Sequence, residues 1–155
     1  MPASPDLQRR QTLKSVAWLS AWLAGAGALP QAAQAYEKAA FDASAYRDAL
    51  RALGTGALIE SREVLLDAPE VAENGAVVPL AVSTSLVGVK RLLVLVEKNP
   101  APLAAIFHVT EAVEPQVSLR VKMSESSYVY AVAWMADGRA LYTRKEVSIT
   151  LGGCG

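Results

Sequence analysis

"YVYAVAWMADGRALYTRKEVSI" occupies residues 128–149. Two runs rich in β-branched and aromatic residues, Tyr128 to Met135 and Arg139 to Ile149, face each other across Asp137-Gly138. Asp-Gly between such runs is the signature of a two-residue β-hairpin turn, because that turn needs left-handed backbone angles that Asp tolerates and Gly adopts freely. The stretch therefore predicts two long antiparallel strands and an all-β core.

Outward from the hairpin the same pattern continues. Val117, Leu119, Val121 and Met123 alternate with Ser118, Arg120 and Lys122, a strict period of two that puts one strand face inward. Val89 to Val96 is an apolar run, as expected of a strand covered on both faces. Glu63 to Leu66, Ala76 to Thr84 and Ala104 to Val109 read as further strands, punctuated by Pro69, Asn74-Gly75 and Asn99-Pro100-Ala101-Pro102. Pro79 within Ala76–Thr84 predicts an edge or a bulge, since proline cannot donate to a ladder. Ahead of them, Asp42 to Leu53 predicts a short helix: Tyr46, Ala49, Leu50 and Leu53 share one face, Asp42 is placed as the N-cap, and Gly54 supplies the left-handed C-terminal residue. Seven or so short strands after one helix predict a mainly β fold, an immunoglobulin-like antiparallel β-sandwich without a disulfide between its sheets.

The N-terminus carries a different message. Arg9-Arg10 precedes an apolar, Ala-rich stretch from Ser15 to Leu29, and Ala33-Gln34-Ala35 is a small-x-small cleavage site. This order is that of a twin-arginine export signal, with a general secretory signal as the alternative, so residues 1–35 are expected to be removed and the product to be periplasmic. Residues 36–150 then form the sandwich domain with its helix, and 151–155 a C-terminal arm. The mature part holds 12 Lys+Arg and 14 Asp+Glu. A near-neutral chain of mixed signs offers no footprint for nucleic acid or for an anionic membrane.

The chain has one cysteine, Cys154, set among Gly152, Gly153 and Gly155. In an oxidising compartment structural cysteines come in pairs, so a single thiol either joins another molecule or stays reactive. One His and one Cys fall short of the four ligands of a structural zinc site, and a dithiol redox site needs a second cysteine. No cofactor site is read. His108 could formally pair with Cys154 as a nucleophilic dyad, against the alternative of an ordinary strand histidine. Arg120 and Lys122 could attract an anion or simply form a solvated strand face. Trp134, Tyr128 and Tyr130 read as core or interface; Glu37, Lys38, Arg47, Asp48 and Arg51 read as the solvated side of the N-terminal segment.

Val147, Ile149 and Leu151 alternate with Ser148 and Thr150, so the last strand runs nearly to the thiol. Four residues separate Thr150 from Cys154, a reach of about 13–14 Å when extended. Glycines add no side chain beside the sulfur and leave the backbone free. A free thiol has a pKa of about 8.5, so activation must come from another protein's active site. These features describe a swinging arm: a globular handle that presents a covalent hook.

Gly152-Gly153-Cys154-Gly155 on an exported β-sandwich resembles the end of the SoxY family, the cysteine-bearing subunit of SoxYZ sulfur carriers. The similarity extends to Asn74-Gly75-Ala76-Val77-Val78-Pro79-Leu80, Glu97-Lys98-Asn99-Pro100, Ile106-Phe107-His108, Arg120-Val121-Lys122-Met123-Ser124-Glu125-Ser126 and Ala136-Asp137-Gly138. The family ends in Gly-Gly-Cys-Gly-Gly; this sequence has one glycine fewer. The resemblance implies that Cys154 binds thiosulfate as an S-thiosulfonate and that the glycines are the arm. It implies a heterodimer with a SoxZ-like β-sandwich subunit. Visiting partners would be a haem-containing SoxXA-type enzyme, a SoxB-type thiosulfohydrolase and a sulfane dehydrogenase. Two other classes stay open at this point: a structural sandwich whose cysteine latches it to another chain by a disulfide, and an enzyme using Cys154 as its own nucleophile.

Overall fold

Five consecutive side chains of one strand, Leu92 to Val96, are completely buried. A strand can do this only if both faces of its sheet are covered, and the computed structural model, which describes residues 37–151, shows how. The segment expected to be an export signal and the Gly-Gly-Cys-Gly end lie outside the described residues. Strand β5 (Val89–Val96) sits in a larger sheet with β1 (Leu58–Glu60), β3 (Val71–Asn74), β6 (Leu103–His108), β8 (Ser127–Met135) and β9 (Ala140–Leu151), in the order β1-β9-β8-β5-β6, with β3 also on β9. A smaller sheet has the order β2-β4-β7, from β2 (Val64–Asp67), β4 (Val78–Thr84) and β7 (Gln116–Val121).

Alternation sorts the side chains of β5 and β8 into two cores. Leu92, Val94, Val96, Val129, Ala131 and Ala133 point between the sheets, where they meet Val78, Leu80, Val82, Val121 and Met123. Leu93, Leu95, Tyr130 and Val132 point to the other side and meet Ala49, Leu50 and Leu53 of the helical region. Helix α1 (Tyr46–Ala52) is thus a third layer over the outer face of the larger sheet. Burying a Leu or Val completely is worth about 1.5–3 kcal/mol, so β5 is the axis of the domain. The fold is the expected mainly β, immunoglobulin-like sandwich.

Pro79 pairs with Arg120 of β7, and the pairing of β2 with β4 stops at Asp67↔Ala81. The sheet is therefore two strands wide at the proline. Thr84 donates its amide to Pro115 O at 3.1 Å, which makes 84, 82 and 80 the residues bonded towards β7 and leaves Pro79 facing the side that β2 has vacated. The edge expected from the sequence is there, although β4 is central elsewhere.

Three local readings differ from the sequence. Helix α1 begins after Ala45, with no side-chain cap, and Asp42 instead closes a preceding helical segment, 37–41, where it pairs with Lys38. Gly54 does end α1, at φ 77°. Its amide bonds Arg51 O at 2.9 Å and that of Thr55 bonds Leu50 O at 3.1 Å, a Schellman pattern. Strands β1 and β3, to which the sequence reading assigned no strand, pair with β9 in parallel. Between them the chain crosses to the smaller sheet as β2 and returns, so each has only three or four residues and no visible periodicity.

The hairpin loop also differs. Among the described residues none but glycine has a positive φ, so Asp137 is not in the expected turn conformation. Gly138 N bonds Met135 O at 3.1 Å and Met135 N bonds Arg139 O at 2.9 Å: the loop has three residues, a turn followed by one left-handed glycine at φ 88°. The Asp137 carboxylate holds this shape by accepting from the Arg139 amide at 3.0 Å and its guanidinium at 2.7 Å.

Two outcomes follow from this loop. A Cβ on Gly138 would meet nothing within 4 Å, so Gly138→Ala should lose only the backbone term, about 1–2 kcal/mol in urea denaturation. The Arg139 amide, then its side chain, hold the Asp137 carboxyl below the usual carboxylate range. A lowered folded pKa contributes stability fully above the unfolded value, about 3.9, and loses it as pH falls through the folded value. The stability gap between wild type and Asp137→Asn should be flat from neutral pH to about 5 and close under more acid conditions.

Candidate functional site

The hook predicted at Cys154 hangs from β9, so the site is built from what holds the end of that strand. Strand β8 stops pairing at Ser127↔Val147. Beyond it the ladder is continued by a side chain, Ser126 Oγ, which accepts from Ile149 N at 2.8 Å. On the other edge β3 runs parallel as far as Asn74↔Leu151. Thr150 Oγ1 donates to Glu73 O at 3.0 Å, and Ser148 N bonds Glu70 O at 2.9 Å. The last strand is therefore gripped on both edges up to Ile149, and on the β3 edge up to Leu151, the first residue assigned to the arm from sequence.

Both neighbours turn away at this point. Asn74 Oδ1 accepts from Ala76 N at 2.8 Å, reversing the chain through Gly75, and Gly75 O accepts from Met123 N at 2.7 Å. Asn99 ties the same pole together: Nδ2 donates to Lys122 O at 2.7 Å and Oδ1 accepts from Ser124 N at 3.0 Å. Buried Ser127 accepts from Lys98 N at 3.0 Å and donates to Tyr128 O at 3.2 Å. Thus Asn74-Gly75, Lys98-Asn99 and Ser124–Ser127, distant in sequence, form one polar collar around the end of β9. Sequence reasoning singled out Cys154 and its glycines and missed this collar; its only signals were Asn-Gly, Asn-Pro and the Ser-Glu-Ser-Ser run.

From Leu151 to Cys154 is three residues, about 10–11 Å of chain at most. His108 cannot be reached from there. Its row runs His108↔Arg91↔Trp134↔Ala140 across the larger sheet. Ala140 lies eleven residues before Leu151 on β9, about 36 Å along the strand, and β6 is three strand spacings away, about 14 Å. The His108 ring instead lies 2.9 Å from Glu37 Oε1. The intramolecular Cys–His dyad left open by the sequence is thereby excluded on chain length.

The other candidates fall as follows. Arg120 and Lys122 are exposed on and just after β7, beside the collar. Trp134 carries the Arg91 guanidinium over its ring at 4.8 Å, at the opposite pole. Tyr130 is buried, and burial raises its phenol above the usual range, so it stays protonated at neutral pH and donates to Glu97 at 3.4 Å. Lys38, Arg47, Asp48 and Arg51 are exposed, and Glu37 is half-buried. Among the described residues no group of three His, Cys, Asp or Glu could hold a metal ion, and no helix is long and apolar enough to cross a membrane.

Three comparisons bear on this arrangement. The family model for the sulfur oxidation protein SoxY matches residues 50–154, a span that includes the collar and Cys154. A solved structure of the sulfur carrier protein SoxY from Chlorobium limicola f thiosulfatophilum is 32% identical, with a TM-score of 0.59 over 66% of this chain and 92% of that one. A superoxide reductase (neelaredoxin) from Ignicoccus hospitalis has a TM-score of 0.52 at 15% identity, over 59% of this chain and 94% of that one, a likeness of fold alone. No curated protein matches the sequence.

Asn99 carries two of the collar's bonds, so Asn99→Ala should lower stability by about 1–3 kcal/mol. The amide of Ser124 should exchange with solvent faster than that of Val132 in mid-sheet; equal acceleration at both would show that the collar is not a local unit.

Proposed function

The chain belongs to the SoxY family of sulfur oxidation proteins, and on that premise we propose that it is a periplasmic carrier that holds thiosulfate and its oxidation intermediates covalently on Cys154. The observation that carries the reading is the family match extending through a cysteine that is unique in the sequence and lies three residues beyond a strand gripped on both edges. A firm base with a short, slim tether suits a thiol that must enter another protein's channel while the handle stays outside.

The chemistry divides between this chain and its visitors. Joining the Cys154 thiol to the outer sulfur of thiosulfate forms a sulfur–sulfur bond and releases one proton and two electrons. The chain has no second thiol to take those electrons, so a haem-containing enzyme of the SoxXA type is their acceptor. Water then cleaves the bond between the two thiosulfate sulfurs, releasing sulfate and leaving a persulfide on Cys154; this is the step of a SoxB-type thiosulfohydrolase. A sulfane dehydrogenase takes the remaining sulfur onward. A SoxZ-like sandwich subunit completes the carrier. Export of a folded protein by the twin-arginine route fits a carrier assembled with that subunit before it leaves the cytoplasm.

Intact-mass spectrometry of protein from thiosulfate-grown cells should show adducts of about 32 and about 112 Da on Cys154, the masses expected for one added sulfur and for thiosulfonate on the thiol oxidation ladder. A covalent dimer alone would favour the latch. Cys154→Ser should abolish thiosulfate-dependent electron flow with unchanged thermal stability. Bulky replacements at Gly152 and Gly153 should slow enzymatic loading far more than alkylation by iodoacetamide; equal slowing would remove the narrow-channel reading.

A further inference from the structure

The outer face of the larger sheet is not wholly covered by α1. Between the helix and strands β1, β8 and β9 lies an open groove of about 620 Å³. Its floor and walls carry Tyr46, Tyr130 and Tyr142, with Arg47, Arg51 and Arg144 around them, and no carboxylate among its lining residues. The tyrosines form a row: Tyr46 stacks on Tyr130 with ring centroids 5.1 Å apart, and Tyr142 follows at 5.9 Å, its ring tilted by 31°.

The arginines are held in an unusual way. Arg51 pairs with Asp48 at 2.6 Å. Among the described residues no carboxylate lies within 4.0 Å of Arg47 or Arg144; each is positioned by a phenol. Arg47 Nε donates to Tyr46 Oη at 3.0 Å, and Arg144 Nη1 donates to Tyr130 Oη at 3.4 Å while its guanidinium covers the Tyr128 ring at 4.8 Å. Both side chains are solvent-exposed. Two oriented guanidiniums over a bed of rings keep most of their donors available, and the forked donor set of Arg matches a carboxylate. Tyr and Arg are also the residues that dominate binding energy at protein interfaces.

We propose that this groove is the docking surface for an acidic segment of the enzymes that load and unload Cys154. The inference rests on the carrier reading and adds the place where its visitors bind. Charge selects the occupant: Arg47, Arg51 and Arg144 outnumber Asp48, which pairs with Arg51, and Glu97, which accepts from Tyr130 Oη, and the groove is too wide and too aromatic for a lone tetrahedral oxyanion. Position agrees with it. Arg144 is seven residues before Leu151 on β9, about 23 Å along the strand. An enzyme resting on the groove therefore covers the distance to the collar with one globular face, and the short tether supplies the rest.

The test uses the mature chain with Arg47→Glu and Arg144→Glu, and in parallel Arg47→Gln and Arg144→Gln, which remove charge with little change in size. In thiosulfate loading by the haem enzyme, the double reversal should raise KM for the carrier about tenfold with kcat unchanged, the double neutralisation should raise it less, and added salt should narrow the gap. A KM unchanged by either pair overturns the proposal. Independently, a hexaglutamate peptide should shift the NMR signals of Tyr46, Arg47, Tyr130 and Arg144 in wild type and not in the variants. Shifts elsewhere, or the same shifts from equimolar thiosulfate, overturn it. If wild type is never loaded but the peptide still maps to the groove, the sulfur reading fails and the acidic docking surface stands.

Discussion

The grip on the two edges of β9 is the constraint on which the molecule turns. A twelve-residue strand enters beside the hairpin, crosses the sheet between β8 and the short parallel strands, and is still bonded on both sides when it reaches Ile149, and on the β3 side to Leu151. That bonding fixes the point from which the last residues extend. If β9 frayed several residues earlier, the thiol would sweep a larger volume, and its chance of being at a channel mouth would fall with it. On the β8 edge the Ser126 hydroxyl stands in for a strand that has already ended.

The strand stays in place because the sheet beneath it is covered twice. The inter-sheet core holds one face through Val147, and α1 with its Tyr46 holds the other through Tyr130 and Val132. Polar groups that this packing buries are satisfied: Thr84 Oγ1 donates to Glu63 O at 2.6 Å and accepts from Leu86 N, and Ser127 bonds across to Lys98. Among the described residues no buried side-chain nitrogen or oxygen lacks a partner. The domain thus pays little for the polar collar it builds at one end.

Long, strongly patterned elements were legible in the sequence. The unbroken apolar run of β5 announced two covered faces, the period of two in β7 announced one, and Asp137-Gly138 announced the hairpin, although the carboxylate's bonds to Arg139 favoured a three-residue loop. Strands β1 and β3 were illegible because three or four residues have no period, and their pairing depends on a partner some eighty residues away. The helix start was misplaced because Asp42 had a closer partner in Lys38. Of the candidate site, the thiol and its glycines were singled out from residue type alone and lie outside the described residues. The collar could not, since Asn99, Ser126 and Asn74 act through backbone groups that only folding brings near.

The direction of β3 has a mechanical consequence. On the proposed function, an enzyme withdrawing from a loaded Cys154 would pull along the axis of β9. The bonds to β8 lie across that axis, and those to β3 slant to it, so both ladders meet the pull in shear and share it over many bonds. A strand held instead by its tip would unzip one bond at a time. Built this way, the handle resists repeated tugging as a rivet does, yielding only if the whole row gives way together.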